Sequence, residues 1–240
     1  MLTIEQKLAA VRRRIAVACA DAGRPEDSVQ LLAVSKTFGA EAIREALRAG
    51  QCQFGESYLQ EALPKLSALA GETVTWHFIG PLQSNKTRGV AEHFDWVQGI
   101  DRLKIAERLS AQRPESLQPL NVCVQVNISG EASKSGCAPD EAVALCRHVA
   151  VLPRLRLRGV MAIPEPAGPG DDPRRPFRAL RELFDELRRS GLELDTLSAG
   201  MSDDLEAAIA EGATLVRVGS AIFGGRDPAR RTVAGAADLD

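Results

Sequence analysis

The sequence predicts a single (β/α)8 barrel, an α/β fold, and two observations carry that prediction. Eight short apolar runs alternate with helical patterns along the chain, the arrangement of a parallel sheet whose strands are joined by helices. No GxGxxG motif follows the first run, which counts against a dinucleotide-binding sheet. An open doubly wound sheet is the alternative architecture.

The elements follow in order. Residues 3–22 form a helix ahead of the barrel: Thr3 and Gln6 match a capping box, and Ile4, Leu8, Val11 and Ile15 fall on one face. The expected strands are 31–35, 52–55, 75–79, 96–99, 122–128, 155–162, 196–199 and 215–218. Between them lie helices at 40–49, 58–68, 84–93, 102–112, 139–151, 178–189 and 203–211. The helix at 178 has the clearest period, with Phe177, Leu180, Phe184 and Leu187 spaced 3, 4 and 3. Gly50, Gly71, Gly191 and Gly212 stand just past helix ends, where a left-handed stop is expected. PEPAGPGDDPRRP, residues 164–176, reads as a surface loop. Residues 1–225 thus form one barrel domain, and 226–240 a polar tail.

Composition narrows the function class. Thirty basic against 32 acidic residues give a net charge of −2, with no footprint for nucleic acid or membrane. Arg12, Arg13 and Arg14, and the arginines from Arg154 to Arg158, read as solvated faces. The five cysteines include no CxxC pair, so neither a zinc site nor a disulfide framework is indicated, and free buried thiols are expected. The N-terminus lacks a secretory pattern and no run reaches the roughly 18 apolar residues of a membrane span. A cytoplasmic soluble protein is the expectation.

In such a barrel the chemistry gathers at the C-terminal strand ends. The first strand runs LLAVS and then meets Lys36. A lysine there either snorkels to solvent or lines the barrel mouth. An amine against an apolar wall or beside another cation titrates lower, and a neutral amine attacks a carbonyl. The seventh and eighth strands lead into LSAGMSDD and VRVGSAIFGG. Glycine–serine loops at those two positions are where barrels commonly hold phosphate. Asp203 and Asp204 would repel a dianion if they faced it, or else favour the helix start while pointing outward. An amine and a phosphate cradle on one mouth suit pyridoxal 5′-phosphate (PLP); a phosphosugar bound as a lysine imine is the competitor. Arg217 favours PLP, because a guanidinium beside the pyridine nitrogen donates a hydrogen bond and leaves the ring a weaker electron sink.

Six segments carry a resemblance: AVSKT (33–37), FGESYLQE (54–61), WHFIGPLQSNK (76–86), VNISGEASKSG (126–136), LRGVMAIP (157–164) and LSAGMSDDLEAAIAEGATLVRVGSAIFG (197–224). With them the sequence resembles the pyridoxal-phosphate homeostasis proteins, whose barrel is similar to the N-terminal domain of alanine racemase. The resemblance implies that Lys36 holds PLP as a Schiff base, that Met201, Ser202, Gly219 and Ser220 lie around the phosphate, and that Arg217 faces the pyridine nitrogen. His77, in the shared motif, either packs at its strand end or lies near the ring, and with Ser198, at the seventh strand end, it joins the candidate set. Ser57 stands where the family usually has asparagine, and its shorter side chain reaches less far toward a cofactor. Lys134 is either solvated surface or a secondary PLP contact.

The family is taken to buffer or deliver PLP in vitamin B6 and amino-acid homeostasis, without robust catalysis, as a monomer with apo PLP-dependent enzymes as possible recipients. A weak amino-acid racemase is the alternative, and a regulatory barrel that signals its PLP occupancy is a third reading. Alanine racemase uses two bases, one a tyrosine from a second domain. Here the sole tyrosine is Tyr58, within the shared motif.

Overall fold

Thr3 opens the chain as its sequence requires: its hydroxyl accepts from the Gln6 N–H, and the Gln6 side chain accepts from Thr3 N–H in return. The helix so capped, α1 (Ile4–Asp21), buries Leu8, Val11 and Ile15. The computed structural model describes residues 2–130, 135–168 and 170–225. Lys134 and the tail at 226–240 lie outside the described residues.

Beyond α1 the chain alternates as predicted: β1 (Gln30–Val34), α2 (Ala40–Arg48), β2 (Gln53–Glu56), α3 (Leu59–Ala68), β3 (Thr75–Phe78), α4 (Thr87–His93), β4 (Trp96–Ile100), α5 (Leu103–Gln112), β5 (Leu120–Gln125), α6 (Pro139–Ala150), β6 (Leu155–Met161), α7 (Arg175–Arg189), β7 (Thr196–Ser198), α8 (Leu205–Ala210), β8 (Leu215–Val218) and α9 (Ser220–Phe223). The strands pair in parallel and in sequence order, and β8 returns to β1 to close the barrel. Closure sets Leu32 opposite Arg217 and Ala33 opposite Val218. That register brings the end of the first strand beside the end of the last.

Most buried apolar side chains lie between the strands and the helical ring. Helix α7 shows how the pattern works: Phe177, Leu180, Phe184 and Leu187 are all buried and face the sheet. Burying each such side chain stabilises the fold by roughly 1.5–3 kcal/mol relative to leaving it in water.

Several boundaries moved, each for a local reason. Helix α7 starts at Arg175, three residues earlier than its hydrophobic period suggests, because Pro176 sits in the first turn where its missing N–H costs nothing. Helix α4 starts at Thr87 instead of residue 84, because residues 83–86 form a turn and the Thr87 hydroxyl donates to the Ser84 carbonyl. Strand β5 stops at Gln125; the Val126 N–H still donates to the Met161 carbonyl of β6 at 2.8 Å, but Val126 also bridges to Cys137. Of the thiols, Cys19, Cys123, Cys137 and Cys146 are buried, but Cys52 is exposed at the start of the β2 segment. Burial pushes Cys123 and Cys146 up to about 12 and Cys137 up to about 11, so these three remain protonated.

Among the described residues no helix is long and apolar enough to cross a membrane. No group of His, Cys, Asp and Glu among them could hold a metal ion.

Candidate functional site

The strand ends of β1, β2, β7 and β8 surround a cavity of about 260 Å³. Lys36, Ser57, Met201, Ser202, Arg217, Gly219 and Ser220 all line it. These residues come from separate stretches of sequence, and barrel closure alone makes them neighbours. The remaining two candidates, His77 and Ser198, do not line it. Both are fully buried inside the barrel beneath it.

Lys36 leaves the end of β1 between two clamped neighbours. Ser35 is fully buried and its hydroxyl donates to Glu56 Oε1 at 2.6 Å. Thr37 adopts φ +72°, and it is one of two non-glycine residues in that region among those described. For a β-branched residue this conformation is strained. The Thr37 N–H donates to Glu61 Oε1. Behind both lies Lys65, whose ammonium contacts the two Glu56 oxygens at 2.9 Å, Glu61 Oε1 at 2.7 Å and the Ser35 carbonyl at 3.1 Å. Glu56 is fully buried and Lys65 nearly so. Burial pushes the Glu56 carboxyl up, against the opposing pull of Lys65 and the Ser35 hydroxyl.

Arg217 enters the cavity from β8 and is held by a chain of hydrogen bonds running down through the barrel. Its Nη2 donates to the Ala162 carbonyl at 2.8 Å and its Nη1 to Ser198 Oγ at 2.5 Å. Guanidinium is donor-only, so Ser198 must accept from it and pass its own proton onward. Ser198 donates to Gln98 Oε1 at 2.7 Å, and Gln98 Nε2 stands 3.0 Å from His77 Nδ1. The direction of the chain makes Nδ1 an acceptor and places the His77 proton on Nε2. Burial lowers His77 to about 3, so the ring is neutral at physiological pH. It stacks on Trp96 at 5.1 Å between centroids, and its Nε2 has no hydrogen-bond partner among the described residues. Burial also lowers Arg217 to about 10, which leaves it cationic at neutral pH.

The opposite wall is small and hydroxylic. Ser202 and Ser220 approach each other at 3.1 Å between their Oγ atoms. A Cβ on Gly219 would stand 3.1 Å from the Val34 carbonyl oxygen, so glycine lets β8 pass close to β1 here. Gly200 has φ +94°, and a Cβ there would come within 2.7 Å of the Ala208 Cβ. Arg14 reaches across from α1, donating to the Ser202 carbonyl at 2.9 Å while pairing with Glu206 at 2.7 Å. Of the two aspartates, Asp204 turns back on its own loop and accepts from the Met201 N–H at 2.5 Å. Asp203 borders the cavity and is exposed.

The sequence reading did not single out Phe38, Ile79 or Ile163, which supply apolar wall. Phe38 stacks on Phe223 at 5.2 Å. It likewise missed Gln98, which joins His77 to Ser198 across the barrel interior. Apolar residues just past a strand end give no chemical signal of their own. Gln98 could have been found by asking which polar residues occur inside predicted strands, since such residues need partners.

The donor set fits a small phosphorylated aldehyde. An amine, two facing hydroxyls and a cationic guanidinium converge on one space with partly apolar walls. Its volume is just below the roughly 300–1,000 Å³ usual for small-molecule sites, which suits a single-ring ligand and is too small for a dinucleotide.

Comparison with known proteins agrees with this architecture. The family model described as alanine racemase, N-terminal domain, matches residues 6–227. A curated pyridoxal phosphate homeostasis protein of Pseudomonas aeruginosa is 61% identical, covering 95% of this chain and 97% of that one. Its namesake in Escherichia coli K12 is 53% identical over 96% of this chain and all of its own. Among solved structures, PipY of Synechococcus elongatus with PLP bound superposes with a TM-score of 0.79 at 38% identity, covering 92% of this chain and 100% of that one. The chain belongs to the alanine racemase N-terminal domain family and, within it, to the pyridoxal phosphate homeostasis proteins.

Proposed function

We propose that this protein binds pyridoxal 5′-phosphate at Lys36 and acts in vitamin B6 and amino-acid homeostasis, buffering or delivering the cofactor without robust turnover. The observation that carries the reading is the convergence of Lys36, Arg217, Ser202 and Ser220 on one cavity. The relatives named pyridoxal phosphate homeostasis proteins, and the PLP bound to PipY, support it. When bound, PLP supplies an aldehyde that Lys36 holds as a Schiff base, with water leaving.

The chain's own residues divide the remaining work. Ser202 and Ser220 present hydroxyl donors to the phosphate, and Gly219 keeps backbone close enough to join them. Met201 borders the same cavity. Arg217 keeps unspent N–H groups after serving Ser198 and Ala162, and one of them donates to the pyridine nitrogen without ceding a proton. Ser198 and His77 act from below by orienting Arg217. Ser57 borders the cavity with a short hydroxyl. The binding unit is residues 1–225, a cytoplasmic monomer whose recipients are apo PLP-dependent enzymes.

A PLP titration followed by absorbance tests this reading. The wild type gains a visible band that Lys36→Ala lacks; a Lys36→Ala variant with the same band would overturn it. One observation favours a weak racemase instead: Asp203, an exposed acidic residue, borders the cavity. Sustained amino-acid racemisation, lost in both Lys36→Ala and Asp203→Asn, would establish that alternative.

A further inference from the structure

Glu61 lies outside the cavity, yet it touches the backbone that aims Lys36. Its Oε1 accepts two bonds at once, from the Thr37 N–H and from Lys65 Nζ at 2.7 Å. Lys65 is 6% exposed and is itself fixed by Glu56, which holds the hydroxyl of Ser35. The residues on either side of Lys36 are therefore tied to one buried ionic cluster. The tie on the Thr37 side matters most, because Thr37 stands at φ +72°. A threonine leaves that conformation unless its surroundings enforce it. A relaxed Thr37 would redirect the chain directly after Lys36 and swing the amine off the cavity.

We propose that Glu61 is a positioning residue for Lys36: by capturing the Thr37 N–H it holds the left-handed turn that points the amine into the cavity. Lys65 is the anchor that keeps the Glu61 carboxylate in place, since a side chain with 25% exposure would otherwise be drawn toward water. The inference rests on Lys36 as the PLP anchor, and it adds a residue that never meets the ligand.

Two variants and one background separate this role from plain stability. Glu61→Gln keeps an oxygen acceptor for the Thr37 N–H, whereas Glu61→Ala removes it. Thr37→Gly abolishes the cost of positive φ, because glycine adopts that region freely. In the ligand-free protein, the Thr37 amide should resist hydrogen exchange in wild type and Glu61→Gln, and exchange about tenfold faster or more in Glu61→Ala, given the strain released. PLP affinity should fall by about the same factor in Glu61→Ala and stay close to wild type in Glu61→Gln. In the Thr37→Gly background, Glu61→Ala should have little further effect on affinity.

Melting temperatures report folding separately. Glu61→Ala with a protected Thr37 amide, or with undiminished PLP affinity beside a functional wild type, would overturn the proposal. So would an equal loss of affinity from Glu61→Ala in the wild-type and Thr37→Gly backgrounds. If the wild type forms no Lys36 adduct, the proposed function fails instead, and the exchange result still decides whether Glu61 holds the turn.

Discussion

Two buried polar networks flank the same cavity, and they are built on opposite principles. On the β1 side, Glu56, Lys65 and Glu61 form a compact ionic cluster within one strand–helix unit. On the β8 side, Arg217, Ser198, Gln98 and His77 form a linear chain in which only the first member is charged. The cluster pairs its charges internally and acts on backbone, clamping Ser35 and Thr37 around Lys36. The chain leaves its cation unneutralised and acts on a side chain, fixing which guanidinium N–H groups are spent below and which face the cavity. Holding an amine in place thus calls for a rigid turn, whereas presenting a hydrogen-bond donor calls for an oriented charge.

The comparison makes predictions of decreasing size at neutral pH. Lys65→Met leaves Glu56 buried with no cation, and removing one partner of a buried pair costs about 3–5 kcal/mol. Urea denaturation should show that loss, and Glu56→Gln added to Lys65→Met should recover part of it. Full stability in Lys65→Met alone would mean that the cluster is no clamp.

Ser198→Ala breaks the chain in the middle, depriving an Arg217 N–H and the Gln98 carbonyl together. The expected cost is about 1–3 kcal/mol, smaller because no ion loses a counter-charge. It should also weaken PLP binding through a loosened Arg217.

The last effect is absent at neutral pH and appears only in acid. His77 is lowered from 6.5 to about 3 by burial. Between those values the unfolded chain binds a proton that the folded protein refuses, so stability falls as pH drops below 6.5 and levels off near 3. The slope is about 1.4 kcal/mol per pH unit over that window. His77→Gln should flatten this part of the stability–pH curve, and an unchanged curve would show that His77 is not the titrating group.

The two networks also differ in how far they were legible in the sequence. Lys36, Arg217, Gly219 and the serines stood out because lysine, arginine and small residues are unusual at the ends of apolar runs, and barrel topology says where those ends meet. Glu61 and Lys65 stand at i,i+4 spacing in α3 and were not singled out, because nothing local shows that they turn inward. Ser198 and Gln98 are 100 residues apart, and their contact exists only once the barrel closes. The eight strands were read correctly in kind, whereas element ends drifted wherever a turn competed for the same residues, as at the start of α4 (83–86) and the end of β5 (126–128). The short helix α9 was missed because its four residues give no period.

The central claim is that Lys36 anchors PLP, and covalent trapping tests it most directly. The protein would be incubated with PLP, reduced with borohydride, digested, and its peptides weighed. The account predicts a phosphopyridoxyl mass gain on the peptide containing Lys36, absent from that peptide in Lys36→Ala. A modification that falls on another lysine, or none at all, would contradict it.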